Sequence, residues 1–306
     1  MKEQHSQKDI SLGILLALIA TIIWSGNFVI SRSVIHLIGP ISLAFFRWSF
    51  ASLILLPFAW KVFKEDWSII KSRPAYFFWT ALTGVSLFNT CVYIAGHSTS
   101  AINMALIGTT SSPIFASILA FLFLKEKMGP MRMIGMLICI IGILLLLSQG
   151  SLEKLLAFHF STGDLWVLAG AFSFAIYNVL VRRKPIEISS IRFLFVVFFF
   201  GSVLLIPFFL FELSYAPPIV WNAELMGSIL YLGIGTSVIS FLCWNLALHK
   251  LGTGRTVIFG NLIPVFSTLE AVWLLGEKVT IIHWISGLTV ILGLIIANLY
   301  SSKFSK

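Results

Sequence analysis

Apolar runs of about twenty residues recur along the whole of this 306-residue chain. A run of that length with few charges is what a helix needs to cross a hydrocarbon core of roughly 30 Å. Ten such runs can be drawn, at residues 11–31, 40–60, 75–96, 102–123, 131–149, 163–182, 190–211, 224–246, 255–275 and 281–301. A soluble core is excluded, because 58% of residues are hydrophobic and only 11% are charged, where soluble proteins carry about 25% charged residues. In lipid the backbone must satisfy its own hydrogen bonds, which leaves helices for runs of this kind. The expected fold is an all-α polytopic membrane protein of ten transmembrane helices, with connections too short to hold a soluble domain.

The net charge of +9 is spread over the gaps between runs, not gathered in a patch. With the N-terminus placed inside, 17 Lys and Arg fall on that side and 3 on the other, with Arg47 inside a run. That asymmetry orients membrane helices and predicts two cytoplasmic termini. It also removes the case for a nucleic-acid partner. Cys91, Cys139 and Cys243 all lie within apolar runs, where a thiol packs as a small hydrophobe, and neither a disulfide nor a metal site is expected. The first run has the length of a cleavable signal, but Gly13 onward is repeated later and so belongs to the fold.

The chain is a sequence written twice. Pro113 pairs with Pro264, Phe115 with Phe266, Glu126 with Glu277 and Lys127 with Lys278, all 151 residues apart; Gly13 and Gly163, Arg32 and Arg182, and Pro57 and Pro207 are 150 apart. Residues 1–149 and 150–306 each hold five runs. Five is odd, so the second copy enters the membrane upside down, the inverted-topology repeat of secondary transporters whose site lies between the copies.

The two copies resemble the EamA modules of the drug/metabolite transporter superfamily. The resemblance rests on W-S-G-N-F-V in the first run, P-x-x-L-A-F-F-R at Pro40 to Arg47, S-P-x-F with K-E-K in the first copy, and I-P-V-F with G-E-K in the second. It covers nearly the whole chain and implies ten helices and the export or uptake of small metabolites, amino acids often among them. A bacterial inner membrane is the expected location.

Candidate site residues are the polar and aromatic groups that an apolar run has no need of. Pro113 and Pro264 occupy matching positions in runs four and nine, where a proline removes a backbone donor, so kinks flanking a cavity are expected. Glu270 lies in run nine with Leu119 as its counterpart, so the repeat itself does not require the charge. Arg47 is the one basic residue well inside a run. The topology puts both in the external half, which predicts an ion pair, an external gate, or the two ends of a zwitterion site. Trp24, Asn27 and Phe28 in run one, Asn89 and Tyr93 in run three, and Tyr177 at the repeat position of Asn27 are expected to line the cavity. Glu126, Lys127, Glu277 and Lys278 anchor helix ends, and His97, His249 and His283 are expected to be solvated.

There is no phosphate loop, H-E-x-x-H or nucleophile elbow, so neither an enzyme nor a cofactor is expected. The reading is a secondary transporter of small neutral or zwitterionic metabolites, amino acids first, working by alternating access. Proton coupling through Glu270 is a subsidiary expectation. The rival is a multidrug or quaternary-amine efflux transporter with Glu270 as the attracting charge.

Overall fold

The computed structural model describes residues 7–125, 129–156, 160–251, 256 and 259–299. Among them there is no strand. Eight helices are long and apolar enough to cross a membrane: α1 Asp9–Ser33, α2 Pro40–Ala59, α3 Pro74–Ala95, α4 Ala101–Phe123, α5 Pro130–Leu147, α6 Thr162–Val181, α7 Ser190–Tyr215 and α8 Ala223–Leu248. Two shorter apolar helices, α9 Ile263–Leu275 and α10 Ile281–Ala297, complete the set. α9 is shorter than its apolar run, because a turn in which the Leu262 N–H donates to the Phe259 carbonyl precedes it.

The helices pair between copies. α5 packs on α10, α2 on α7 and α4 on α9, and the remaining large contacts are α1 with α8 and α9, matched by α6 with α3 and α4. Exchanging the copies maps this list onto itself. The repeats are therefore units of sequence that intertwine in space. Their opposite entry is visible at the ends. Asp9 at the start of α1 pairs with Lys250 beyond α8, whereas Ser161 at the start of α6 donates to the Ser98 carbonyl between α3 and α4, three passes away.

The α5–α10 contact brings backbone against backbone. A Cβ added at Gly293 would lie 2.7 Å from Cys139 Sγ and from the Gly135 carbonyl oxygen, and one at Gly135 would lie 2.5 Å from the Gly293 carbonyl oxygen. Small residues let two membrane helices touch backbone to backbone, where packing takes the place of a hydrophobic driving force.

α3 and α8 share a second device. Each contains a stretch of wider π-helix, Leu82–Leu87 and Tyr231–Ile239, at corresponding places in the two copies. A side chain of the partner helix caps a carbonyl in each: Ser173 of α6 donates to Thr83 (2.9 Å), and Trp24 of α1 donates to Thr236 (2.9 Å). π-turns of this kind concentrate at functional sites.

Each face is tied by side chains. On the face where α1 starts, Arg192 at the start of α7 contacts Glu65 (2.5 Å) and Asp66 (3.1 Å) in the connection after α2. On the far face, the buried Glu212 at the end of α7 accepts the N–H groups of Ile41 (3.0 Å) and Ser42 (2.6 Å) and the Ser42 hydroxyl (2.6 Å). Helix α2 opens on Gly39, which has no side chain to cap it, so a carboxylate from α7 satisfies its orphan donors and its positive end. Glu277 does the same for α4, accepting from Ala101 (2.8 Å) and Ile102 (3.2 Å). Glu277 thus caps a neighbouring helix, which is more than the anchoring of its own helix end that the sequence suggests. Glu126 and Lys127 lie outside the described residues.

Candidate transport site

Arg47 is the hub. It is 5% exposed, and the two hydrogens of its Nη1 face three acceptors, Asn27 Oδ1 on α1 (2.5 Å), Asn89 Oδ1 on α3 (2.7 Å) and the Tyr93 hydroxyl on α3 (2.6 Å). Its Nε donates to Ser237 Oγ in the π-stretch of α8 (3.2 Å). Asn89 and Tyr93 reach one guanidinium because they stand four residues apart on one helix face. The guanidinium carbon lies 4.5 Å from the centre of the Trp48 ring. Four helices from both copies therefore converge on one cation. Every partner is neutral, and no carboxylate lies within ion-pair distance of Arg47 among the described residues. Nη2 takes part in none of these bonds. A buried charge without a counter-charge is expensive, and in membrane helices such residues mark substrate or ion paths.

Glu270 sits elsewhere. Its Oε1 lies 2.6 Å from Ser25 Oγ on α1, while Oε2 is buried without a hydrogen bond. Ser25 and Asn27 are two residues apart on α1, about 200° around a helix of 3.6 residues per turn. Arg47 and Glu270 thus approach α1 from opposite sides, and the expected ion pair is not made in this conformation.

The remaining expected residues divide between these surroundings and the rest of the core. Trp24 is half-buried against Phe241 and Trp244, with ring centres 5.7 and 5.2 Å away. Phe241 lines a narrow crevice between α2, α7 and α8, with space of about 20 Å³, which Leu55, Leu194, Ser237 and Asn245 also line. The crevice meets the hub at Ser237. Phe28 packs where α1, α4 and α6 meet, at Gly108 and Val167. Tyr177 does not join the Arg47 cluster; it stacks on Phe174 and covers Gly84 of α3.

The two prolines differ. Pro113 lies inside α4, but Pro264 stands in the first turn of α9 and begins a helix where a kink was expected. A proline is favoured there because its missing N–H would have no intrahelical acceptor. What the copies share is the carbonyl: Ser117 donates to Pro113 and Thr268 to Pro264, each at 2.7 Å.

Among the histidines, His283 is not simply solvated. Its Nδ1 accepts the Thr280 N–H (3.0 Å), and its Nε2 lies 3.2 Å from Asn103 Oδ1. The His249 side chain is outside the described residues. Burial pushes His97, in the turn after α3, below its ordinary value. No group of three metal-binding side chains occurs among the described residues.

Sequence reasoning missed Ser25, Ser237 and Glu212. Ser25 stands inside the W-S-G-N stretch that carries the resemblance, and the uncapped Gly-Pro opening of α2 signalled a missing acceptor. Nothing in the sequence singles out Ser237.

A duplicated bundle of ten apolar helices defines a polytopic membrane protein built from two copies of one unit. The chain belongs to the EamA-like transporter family, whose sequence profile it matches over residues 11–148 and again over 161–299. It is 28% identical over 288 residues to an "Uncharacterized transporter" of Archaeoglobus fulgidus, covering 91% of this chain and 94% of that one. It is 29% identical over 299 residues to the "Uncharacterized transporter YyaM" of Bacillus subtilis, covering 94% of each. A solved crystal structure shares the fold with a TM-score of 0.63 at 18% identity, over 97% of this chain and 99% of that one.

Proposed function

We propose that this protein is a secondary transporter of small neutral or zwitterionic metabolites, amino acids foremost, which alternates access between its faces. The observation that carries this reading is Arg47. A guanidinium held by four neutral groups at the junction of the copies lacks a negative charge, and a substrate carboxylate supplies one with fork geometry. The half-buried aromatic cluster around Trp24 beside the same π-stretch gives apolar surface for the rest of a small ligand. The ties at the two faces, Arg192 to Glu65 and Asp66 and Glu212 to α2, give each face its own closure. The face where α1 starts carries the lysines and arginines and is assigned to the cytoplasm of a bacterial cell, with both termini there. Glu270, an ionisable group within the membrane and away from Arg47, offers a route for proton coupling.

The test is a thermal-shift screen of the purified protein against amino acids, nucleosides, sugars, polyamines and quaternary amines, followed by uptake into proteoliposomes. A ligand at a hundred times its Kd stabilises the folded state by about 2.7 kcal/mol. Stabilisation by carboxylate-bearing metabolites that is lost in Arg47→Gln is the expected result. Stabilisation by quaternary amines alone, unaffected by Arg47→Gln, replaces this reading with multidrug efflux.

A further inference from the structure

Ser25 has one hydroxyl hydrogen and two short contacts that call for it. Its Oγ lies 2.6 Å from the Ile22 carbonyl oxygen and 2.6 Å from Glu270 Oε1. Both are ordinary O–H···O distances. A carbonyl oxygen and an ionised carboxylate only accept, so a single hydrogen cannot make both bonds, and the second contact needs a second proton. A neutral Glu270 completes the set. Its O–H donates to Ser25 Oγ, and the Ser25 O–H donates to the Ile22 carbonyl.

The surroundings agree with a neutral carboxyl. No Lys, Arg or His nitrogen lies within ion-pair distance of Glu270 among the described residues. Helix α4, packed on α9, has no titratable side chain. On α1 the charged groups are engaged elsewhere, Asp9 with Lys250 and Arg32 with the Gly96 carbonyl. On α8, Tyr231 is within electrostatic reach of Glu270, but its hydroxyl donates to the Ile23 carbonyl at 2.8 Å. A carboxylate here would have one shared donor and a buried Oε2 with no hydrogen bond, a costly arrangement for a charge in the membrane.

We propose that Glu270, Ser25 and the Ile22 carbonyl form a proton-binding site at the α1–α9 contact, occupied in this conformation, with Ser25 as the positioning residue that transmits its occupancy to α1. Loss of the proton breaks the Glu270 O–H bond and passes H⁺ to water. The Ser25 hydrogen then turns from Ile22 to Oε1, which frees a carbonyl two residues before Trp24. The proton thus fixes how α1 sits on α9. The use of this site in coupling rests on the transporter reading, whereas its existence does not.

Infrared difference spectroscopy on the full-length protein in lipid nanodiscs at neutral pH tests the site without any substrate. Wild type minus Glu270→Gln shows a protonated-carboxyl C=O band. Ser25→Ala shifts that band toward the frequency of a free acid, and Ser25→Thr, which keeps the hydroxyl, leaves it in place. If Glu270→Gln does not fold, spectra of ¹³C-glutamate-labelled wild type and Ser25→Ala carry the same comparison. Absence of the band from wild type, or a band unmoved in Ser25→Ala, overturns the proposal. A band that behaves as expected in a protein that no metabolite stabilises would overturn the transport reading and leave the proton site standing.

Discussion

At the scale of single residues, the two ionisable side chains Arg47 and Glu270 could be picked out of the apolar runs and their partners could not. Arg47 and Glu270 stand out because an apolar run has no other use for them. Ser237 and Ser25 are small hydroxyls of a common kind, and only packing between copies shows which ionisable group each one meets. The hub predicts that charge alone is insufficient. Arg47→Lys keeps the cation but cannot span Asn27, Asn89, Tyr93 and Ser237 at once. Hydrogen bonds to a charged group contribute about 1.5–3 kcal/mol each, and losing one toward the ligand weakens binding roughly 10–100-fold at 1.4 kcal/mol per decade. Equal ligand-induced stabilisation of wild type and Arg47→Lys would remove Arg47 from the site. A second residue gives a pH prediction. Asp66, in the connection between α2 and α3, is pushed above its ordinary 3.8 by burial, with Arg192 opposing and Glu65 adding to the shift. A carboxyl that binds its proton more tightly when folded stabilises the fold at low pH, and that contribution is lost as pH rises through the interval between the ordinary and the raised value. Asp66→Asn removes this slope. Melting temperature measured against pH should fall less steeply above pH 3.8 in the variant than in wild type, whereas parallel curves would acquit Asp66.

At the scale of helices, the existence of the spans was legible because hydrophobic length is a strong signal, and their contacts were not. The apolar run at 255–275 hid a break, since the turn before Pro264 rests on just two turn-forming residues, Gly260 and Asn261, set between apolar neighbours. The prolines themselves were visible, but whether a proline kinks a helix or begins one depends on the backbone just before it. The π-stretches left only glycines as a trace, and Gly84 and Gly235 are two of 22 in the chain. The α5–α10 seam gives the sharpest prediction at this scale. Gly293→Val drives a branched side chain into Cys139 and the Gly135 carbonyl oxygen at 2.7 Å, where backbone cannot give way. Overpacking of this kind costs about 1–3 kcal/mol. Gly227→Ala, where an added methyl meets nothing within 4 Å, is the control and should be neutral or slightly stabilising in its helix. The two are compared by unfolding in mixed micelles; a Gly293→Val protein as stable as the control would mean that the helices do not meet through these glycines.

At the scale of the molecule, the duplication read from paired prolines and glycines states that two copies exist but leaves open how they share a core. The contact pattern answers this. α1 rests on α8 and α9, α6 on α3 and α4, and α2, α4 and α5 each on its own counterpart, so neither copy keeps its principal contacts when the other is taken away. The seam is also where the hub forms: Arg47 collects Asn27, Asn89 and Tyr93 from the first copy and Ser237 from the second. Cutting between Gln149 and Gly150 breaks the chain in a turn where both residues have positive φ, 52° and 73°, so the cut itself removes no helix. We therefore expect residues 1–149 or 150–306 produced alone to be degraded or to aggregate, because each loses seams such as Gly135–Gly293, the first leaves the N-terminal ends of α2 and α4 without the carboxylates of Glu212 and Glu277, and the second leaves those carboxylates without the donors they accept from. Produced together, the two pieces should co-purify as a one-to-one complex that regains the ligand-induced stabilisation of the intact chain. A first piece that is stable and monomeric by itself in detergent would show that the copy is a folding unit, and the site between copies would then have to be a docking interface instead of a shared core.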